Sequence, residues 1–385
     1  IDPSFMSLTD QVHARRNEGM ATLLPDIAPL RWTGQRALAN YNSSVYFPAA
    51  YIVSMAALKV SSLFNLSIVS ALQVVNLFNG LICVSIAALA IALAPRAKTV
   101  IFVIAILPMT LFLFASASPD GPLISSALVV FALLARVLAD RTSSPALFTI
   151  LAALLTVVAA TKLPYLPFAL ALIAATWLGS TVQRPSWAVP AAAMLVVATV
   201  SIGWTVITNA GAIDVNWGAG VANPSEQITF LLGKPFAIIT IAKETLARWG
   251  VSYLHQMVGF LGWHDAPITV TGQAILLALI AVAFVLDAPS APFGRARLVT
   301  LLGLLASVGA IFASLYIATN PVGSLRPIEG VQGRYFLPLL PFLALLAPLA
   351  LHFPGRKTLL ALTLTVAVPV SSFELMRTVI DRYYA

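Results

Sequence analysis

Apolar residues run in blocks along this chain, and the blocks are too long for the core of a soluble domain. Runs near 68–94, 100–117, 121–139, 144–161, 164–180, 187–209, 270–287, 298–318, 335–352 and 358–373 are separated by terse polar breaks. A helix needs roughly 20 apolar residues to cross a hydrocarbon layer. An open strand there would leave its backbone groups unpaired, so each run is expected to be helical. The pattern predicts an all-α polytopic membrane protein with about ten spanning helices. Residues 46–62 are apolar but shorter, interrupted by Pro48 and Lys59, and suit an interfacial or re-entrant helix. Four regions follow: an outer segment with its interfacial helix (1–62), transmembrane helices (63–209), an outer loop (210–269), and further transmembrane helices with an outer-facing tail (270–385).

Composition agrees with the blocks. Hydrophobic residues make up 59% of the chain and charged residues 9%, against about 25% charged in soluble domains. The formal charge of +8 is carried by scattered Lys and Arg rather than a basic patch, so nucleic acid is not an expected partner and the bilayer is. The short loops sort by sign. Arg96 and Lys98, Arg136 and Arg141, Arg184, Arg295 and Arg297, and Arg356 and Lys357 fall in one alternating set. That set should be cytoplasmic. The opposite set, with 118–121, 161–164, 210–269 and 319–334, should face outward, provided 46–62 does not cross. The lone Cys83 excludes a disulfide framework within the chain and reads as a small buried hydrophobe. Ile1-Asp2-Pro3-Ser4 is not an initiator sequence, so the chain reads as a fragment or processed product with an upstream helix expected.

Chemistry needs polar groups, and those lie in the outer breaks. Asp120, in SASPDGPLISS, stands where a helix re-enters the membrane. It reads as a helix cap, or as a ligand for a cation or a polarised substrate group, and the two are compatible. Lys162 and Tyr165, in ATKLPYLPF, occupy the next outer turn; the lysine either snorkels to headgroups or holds a lipid phosphate. In GVQGRYFLP, Gln332, Arg334 and Tyr335 open a helix on the same face, with a guanidinium fork suited to phosphate. Asp265 and His264 end the segment GFLGWHD; Asp265 is the stronger catalytic candidate, and both also read as solvated loop residues. Walker, dinucleotide-binding, H-E-x-x-H and G-x-S-x-G motifs are absent, as are acids in the helix middles that a proton-driven pump would need.

With those four segments in view, the chain resembles the bacterial membrane proteins known as domain of unknown function 2142, from about residue 40 to 350. That family looks related to the GT-C membrane glycosyltransferases, which take a sugar from a polyprenyl-phosphate carrier. The resemblance implies a bacterial inner-membrane enzyme that passes a sugar to a cell-envelope glycan or lipid on the outer face. It implies Asp120 as a catalytic acid that binds a divalent cation (Mg, Mn or Zn), with Asp265 a second catalytic candidate. Lys162, Tyr165, Gln332, Arg334 and Tyr335 would contact the substrate phosphate. The family's first-loop Pro-Asp-Glu cluster and following His should precede residue 1, and Asp2 and Asp10 do not replace it. Two other readings remain: a transporter or flippase for a lipid-linked glycan, and a non-catalytic envelope-assembly protein.

Overall fold

A computed structural model describes residues 2–15, 18–35, 45–141, 144–178, 186–211, 223–262, 264–289, 294–347 and 353–384. Six of its helices are long and apolar enough to cross a membrane. These are α4 (Ile68–Leu93), α7 (Asp120–Asp140), α10 (Ala188–Gly211), α13 (Val270–Asp287), α14 (Arg295–Thr319) and α16 (Arg356–Tyr383). Each coincides with an expected span. The chain is an all-α polytopic membrane protein.

The other expected spans are shorter or interrupted, and proline explains most of the difference. The run 100–117 becomes α5 (Lys98–Ala105) and α6 (Pro108–Phe114). Leu107, just before Pro108, is forced out of the helical region at φ −53°, ψ 139°. The break frees the Ile106 carbonyl, and the buried Ser371 hydroxyl of α16 donates to it. The run 164–180 starts as a 3-10 helix over Leu163–Leu170, where Pro164 and Pro167 lack N–H groups, before α9 (Ala171–Leu178) begins. α8 (Pro145–Thr161) precedes it, started by Ser144, whose side chain accepts from the Leu147 N–H at 3.3 Å. Within 335–352, the described residues form 3-10 turns at Gly333–Phe336 and Leu340–Phe342 and the single turn α15 (Leu343–Leu346).

Burial sorts the helices. In α7, 83% of the most apolar stretch is buried, against 11% in α10. α7 is therefore the central helix, packed on α4, α6, α8 and α9. The peripheral helices turn apolar side chains such as Leu195, Val206, Ile207 and Leu305 outward, which only lipid accommodates without penalty.

The interfacial expectation for 46–62 fits α3 (Ile52–Leu63), preceded by a 3-10 turn at Pro48–Tyr51. At 1.5 Å per residue α3 is about 18 Å long, short of the ~30 Å hydrocarbon core. It packs on α4 through Asn79, whose side-chain amide donates to Ser54 Oγ and to the Ser116 carbonyl, both at 2.9 Å. Ahead of it, α1 (Pro3–Ala14) and α2 (Met20–Ile27) close a small second core of Phe5, Leu8, Leu23 and Ile27 against Ile68. Asp2 caps α1 and accepts from the Thr33 and Gly34 amides.

Two expectations need correction. The segment 210–269 is not mainly loop: it holds α11 (Pro224–Gly233), the 23-residue α12 (Ala237–Gly259) and a short hairpin of β1 (Phe260–Leu261) with β2 (Ala266–Pro267). Residues 374–383, expected as part of a tail, continue α16. There Glu374 reaches the start of α13, accepting from the Thr269 N–H at 2.9 Å and from the Thr269 hydroxyl. A carboxylate is favourable at that helix N-terminus.

The loops sort to the two ends as their charges suggest. At one end Lys98 opens α5, Asp287 accepts from the Thr99 N–H at 2.7 Å and pairs with Arg356 at 3.7 Å, and Arg297 donates to the Ala347 carbonyl. Asp120, Lys162 and Arg334 gather at the opposite end. Arg16, Arg36, Arg184 and Trp263 lie outside the described residues.

Candidate functional site

The site is built where α7 begins and α8 ends. Asp120 is the first residue of α7, not its cap; Pro119 holds the cap position. The Asp120 N–H donates to Ser118 Oγ at 3.2 Å, which leaves the carboxylate free for other partners. Gly121 allows α7 to start against α6: a Cβ there would stand 2.8 Å from the Leu113 carbonyl oxygen. Across the cleft, α8 stops at Lys162, whose backbone is extended at φ −139°. The Lys162 ammonium forms an ion pair and hydrogen bond with Asp120 Oδ1.

The third arm comes from the segment after α14. Gly333 presses its backbone onto α12, and its N–H donates to Gln256 Oε1 at 2.8 Å. A Cβ at 333 would collide with the Tyr253 carbonyl oxygen, so this approach requires glycine. The next residue, Arg334, brings Nε to 3.6 Å from Asp120 Oδ2. The buried Tyr165 donates its hydroxyl to the Tyr335 carbonyl at 2.8 Å, tying the 3-10 segment after α8 to the same turn. One carboxylate thus faces two cations, one on each oxygen, and the trio carries a net positive charge.

The lysine also lies over aromatic faces, 4.5 Å from the Tyr335 ring centre and 5.7 Å from that of Tyr46. Cations are attracted to such faces. A cavity of about 420 Å³ opens on this side. Lys162, Tyr165 and Tyr335 line it with Tyr46, with Trp204, Thr205 and Thr208 of α10, and with Ile311, Ser314, Leu315 and Ala318 of α14. Trp204 donates from Nε1 to the Val45 carbonyl at 2.8 Å, which fixes the segment carrying Tyr46. Tyr46 and Trp204 are among the lining residues that sequence reasoning missed. The bond from Trp204 to Val45, which brings them to one site, spans 159 positions, and no local motif marks either one.

The remaining expected residues fall on the Arg334 side. His264 sits in a tight turn with φ +63°, beside the Gln332 side chain and within the influence of Arg334. Burial, aided by the charge of Arg334, holds its imidazole below the usual value of 6.5. Asp265 is oriented differently: its Oδ2 accepts from Arg382 Nη2 at 2.7 Å and from Nε at 3.0 Å, at the far end of α16. The catalytic candidate Asp265 is therefore engaged with α16, while its neighbour His264 joins Gln332 and Arg334.

A divalent cation at Asp120 would meet a carboxylate whose two oxygens already face Lys162 and Arg334. Among the described residues, no three His, Cys, Asp or Glu side chains gather as a ligand set. The donors present fit an anion better than a metal.

Neither a curated protein nor a solved structure matches the chain. Residues 31–343, which include α3 to α14 and every arm of the site, match one family described as Predicted membrane protein (DUF2142). That span covers most of the chain, and the protein belongs to this family of membrane proteins.

Proposed function

We propose that this protein is a membrane glycosyltransferase that takes a sugar from a polyprenyl-phosphate carrier and passes it to a cell-envelope glycan or lipid on the outer face of a bacterial inner membrane. One observation carries the reading: Lys162 and Arg334 converge on Asp120 at the end of the spanning helices, beside a cavity walled by α10 and α14. The cavity combines a cation with aromatic and aliphatic walls, the pairing that a phosphate joined to a hydrocarbon chain requires. Ser314 and Ala318, on its border, are exposed on a spanning helix, so a lipid can approach from the bilayer.

In the reaction, the bond between the sugar C1 and the phosphate oxygen breaks. A new bond forms from C1 to the acceptor oxygen, with inversion. Negative charge grows on the departing phosphate, and Lys162 and Arg334 are the groups that meet it. Asp120 positions both cations. The acceptor hydroxyl loses its proton as the new bond forms, and the departing phosphate takes it up.

A flippase would share this lipid-phosphate site but needs a broken helix lining its path. The break at Pro108 is not such a lining, because its free carbonyl is bonded to Ser371. The interrupted segments at 163–170 and 333–346 border the site in both readings, so sugar transfer itself decides between them. The test is transfer of a radiolabelled hexose from polyprenyl phosphate by the reconstituted protein, with lipid binding measured alongside. Lys162→Met and Arg334→Met should each weaken binding roughly ten- to a hundredfold, as loss of a charge-assisted contact does. Lipid binding indifferent to both substitutions would sink the proposal.

A further inference from the structure

Asp120 divides the site in two. Its Oδ1 faces Lys162, which belongs to the aromatic cavity; its Oδ2 faces Arg334, which belongs with Gln332 and His264. The second side has an unusual chemical state. His264 Nε2, Gln332 Oε1 and Arg334 Nε are all buried, and none has a hydrogen-bond partner among the described residues. Folded proteins pair nearly all such atoms, because leaving one unpaired is costly. Three in one cluster mark a surface shaped for something else to complete.

We infer that His264 and Gln332, on the far side of Arg334 from Lys162, form a subsite for the hydroxyl groups of a sugar, with Arg334 shared between this subsite and the phosphate position. The mixture of donors and acceptors selects the class. An amide oxygen accepts, the guanidinium Nε–H donates, and the imidazole Nε2 accepts or donates according to its tautomer. A hydroxyl does both and satisfies the set. A second phosphate oxygen only accepts, so Gln332 Oε1 would repel it. The low proton affinity of His264 keeps its imidazole neutral, without the charge that would draw a phosphate. The backbone holds the three in place: Gly333 is pinned to Gln256, and His264 is fixed in a left-handed turn that favours small or polar residues.

This subsite rests on the lipid-phosphate reading, and one experiment separates the two. The full chain in nanodiscs is titrated with two probes, a polyprenyl monophosphate and the same lipid phosphate bearing one hexose. Wild type should bind the sugar-bearing lipid more tightly. Gln332→Leu and His264→Leu should each weaken that lipid about tenfold, the loss expected for one or two hydrogen bonds, and leave the bare phosphate lipid unchanged. Gln332→Asn, which keeps an amide, controls for folding and should keep part of the preference. Equal weakening of both lipids, or no change in either, overturns the subsite. A wild type that binds neither lipid overturns the phosphate reading itself.

Discussion

The Asp120 carboxylate and the Lys162 ammonium close an ion pair across 42 positions of chain, joining the first residue of α7 to the residue that ends α8. Both side chains are largely shielded, with 10% and 14% of their surface exposed. Arg334 approaches the same carboxylate from a third segment, so the acid serves two cations while, among the described residues, each cation pairs with that one acid.

That asymmetry sets an order of damage. Asp120→Ala leaves two shielded cations without their counter-charge and should cost about 3–5 kcal/mol. Lys162→Ala leaves Asp120 with Arg334 and should cost less, about 1–3 kcal/mol. Adding Lys162→Ala to Asp120→Ala should recover part of the loss. Thermal unfolding of the four proteins in one detergent gives the ranking, and equal losses for the two single variants would contradict it.

Gly333→Ala should be more disruptive than its size suggests. The new methyl meets the Tyr253 carbonyl on α12, so the turn must lift and take Arg334 with it. A stability loss of about 1–3 kcal/mol is expected, together with weaker lipid-phosphate binding. Wild-type binding by this variant would show that the turn moves without displacing Arg334.

Ser371→Ala strips the Ile106 carbonyl of its partner at the break between α5 and α6. Water does not reach a buried break in the bilayer to replace it, so the cost should be about 1–3 kcal/mol. Ser371→Thr keeps the hydroxyl and should lose less. The comparison is made by unfolding titration in mixed micelles.

His264 gives the protein an acid-side weakness. Its folded proton affinity lies below the ordinary value of 6.5, so between those two values the unfolded chain binds a proton that the folded chain does not. Its contribution to stability is complete above pH 6.5 and fades as pH falls toward the folded value. In His264→Gln that fading should vanish. Melting curves recorded from pH 5 to 8 test it, and parallel curves for the two proteins would count against it.

Chelation addresses the metal question directly. Lys162 and Arg334 already neutralise Asp120, so EDTA should leave binding of polyprenyl phosphate unchanged. Binding lost on chelation and restored by magnesium would assign the carboxylate to a cation after all.

Much of this architecture was legible along the chain because lipid writes long, simple patterns. Six spans, the short segment at 46–62 and the shared end of Asp120, Lys162 and Arg334 all follow from apolar run length and loop charge. The failures have equally plain causes. α12 was hidden because Lys243, Glu244 and Arg248 interrupt its apolar residues, so it does not read as a span. Pro108 was visible, but an apolar run does not reveal that a distant serine will compensate its break. Tyr46 and Trp204 join the site through contacts far apart in sequence, and Asp265 and His264 part company through backbone geometry that adjacency does not encode.

The carboxylate at the start of α13 also sets a clock. Glu374 lies 105 residues after Thr269, and a ribosome adding about 5–20 residues per second needs roughly 5–20 s to cover that distance. Throughout that interval Thr269 already caps α13 at Gly272, but its own N–H and hydroxyl lack their carboxylate, and the adjoining turn that carries His264 lacks its neighbour on α16. The spanning helices can be inserted one by one, and the polar end can begin with the Asp120–Lys162 pair, but it is complete only when α16 arrives.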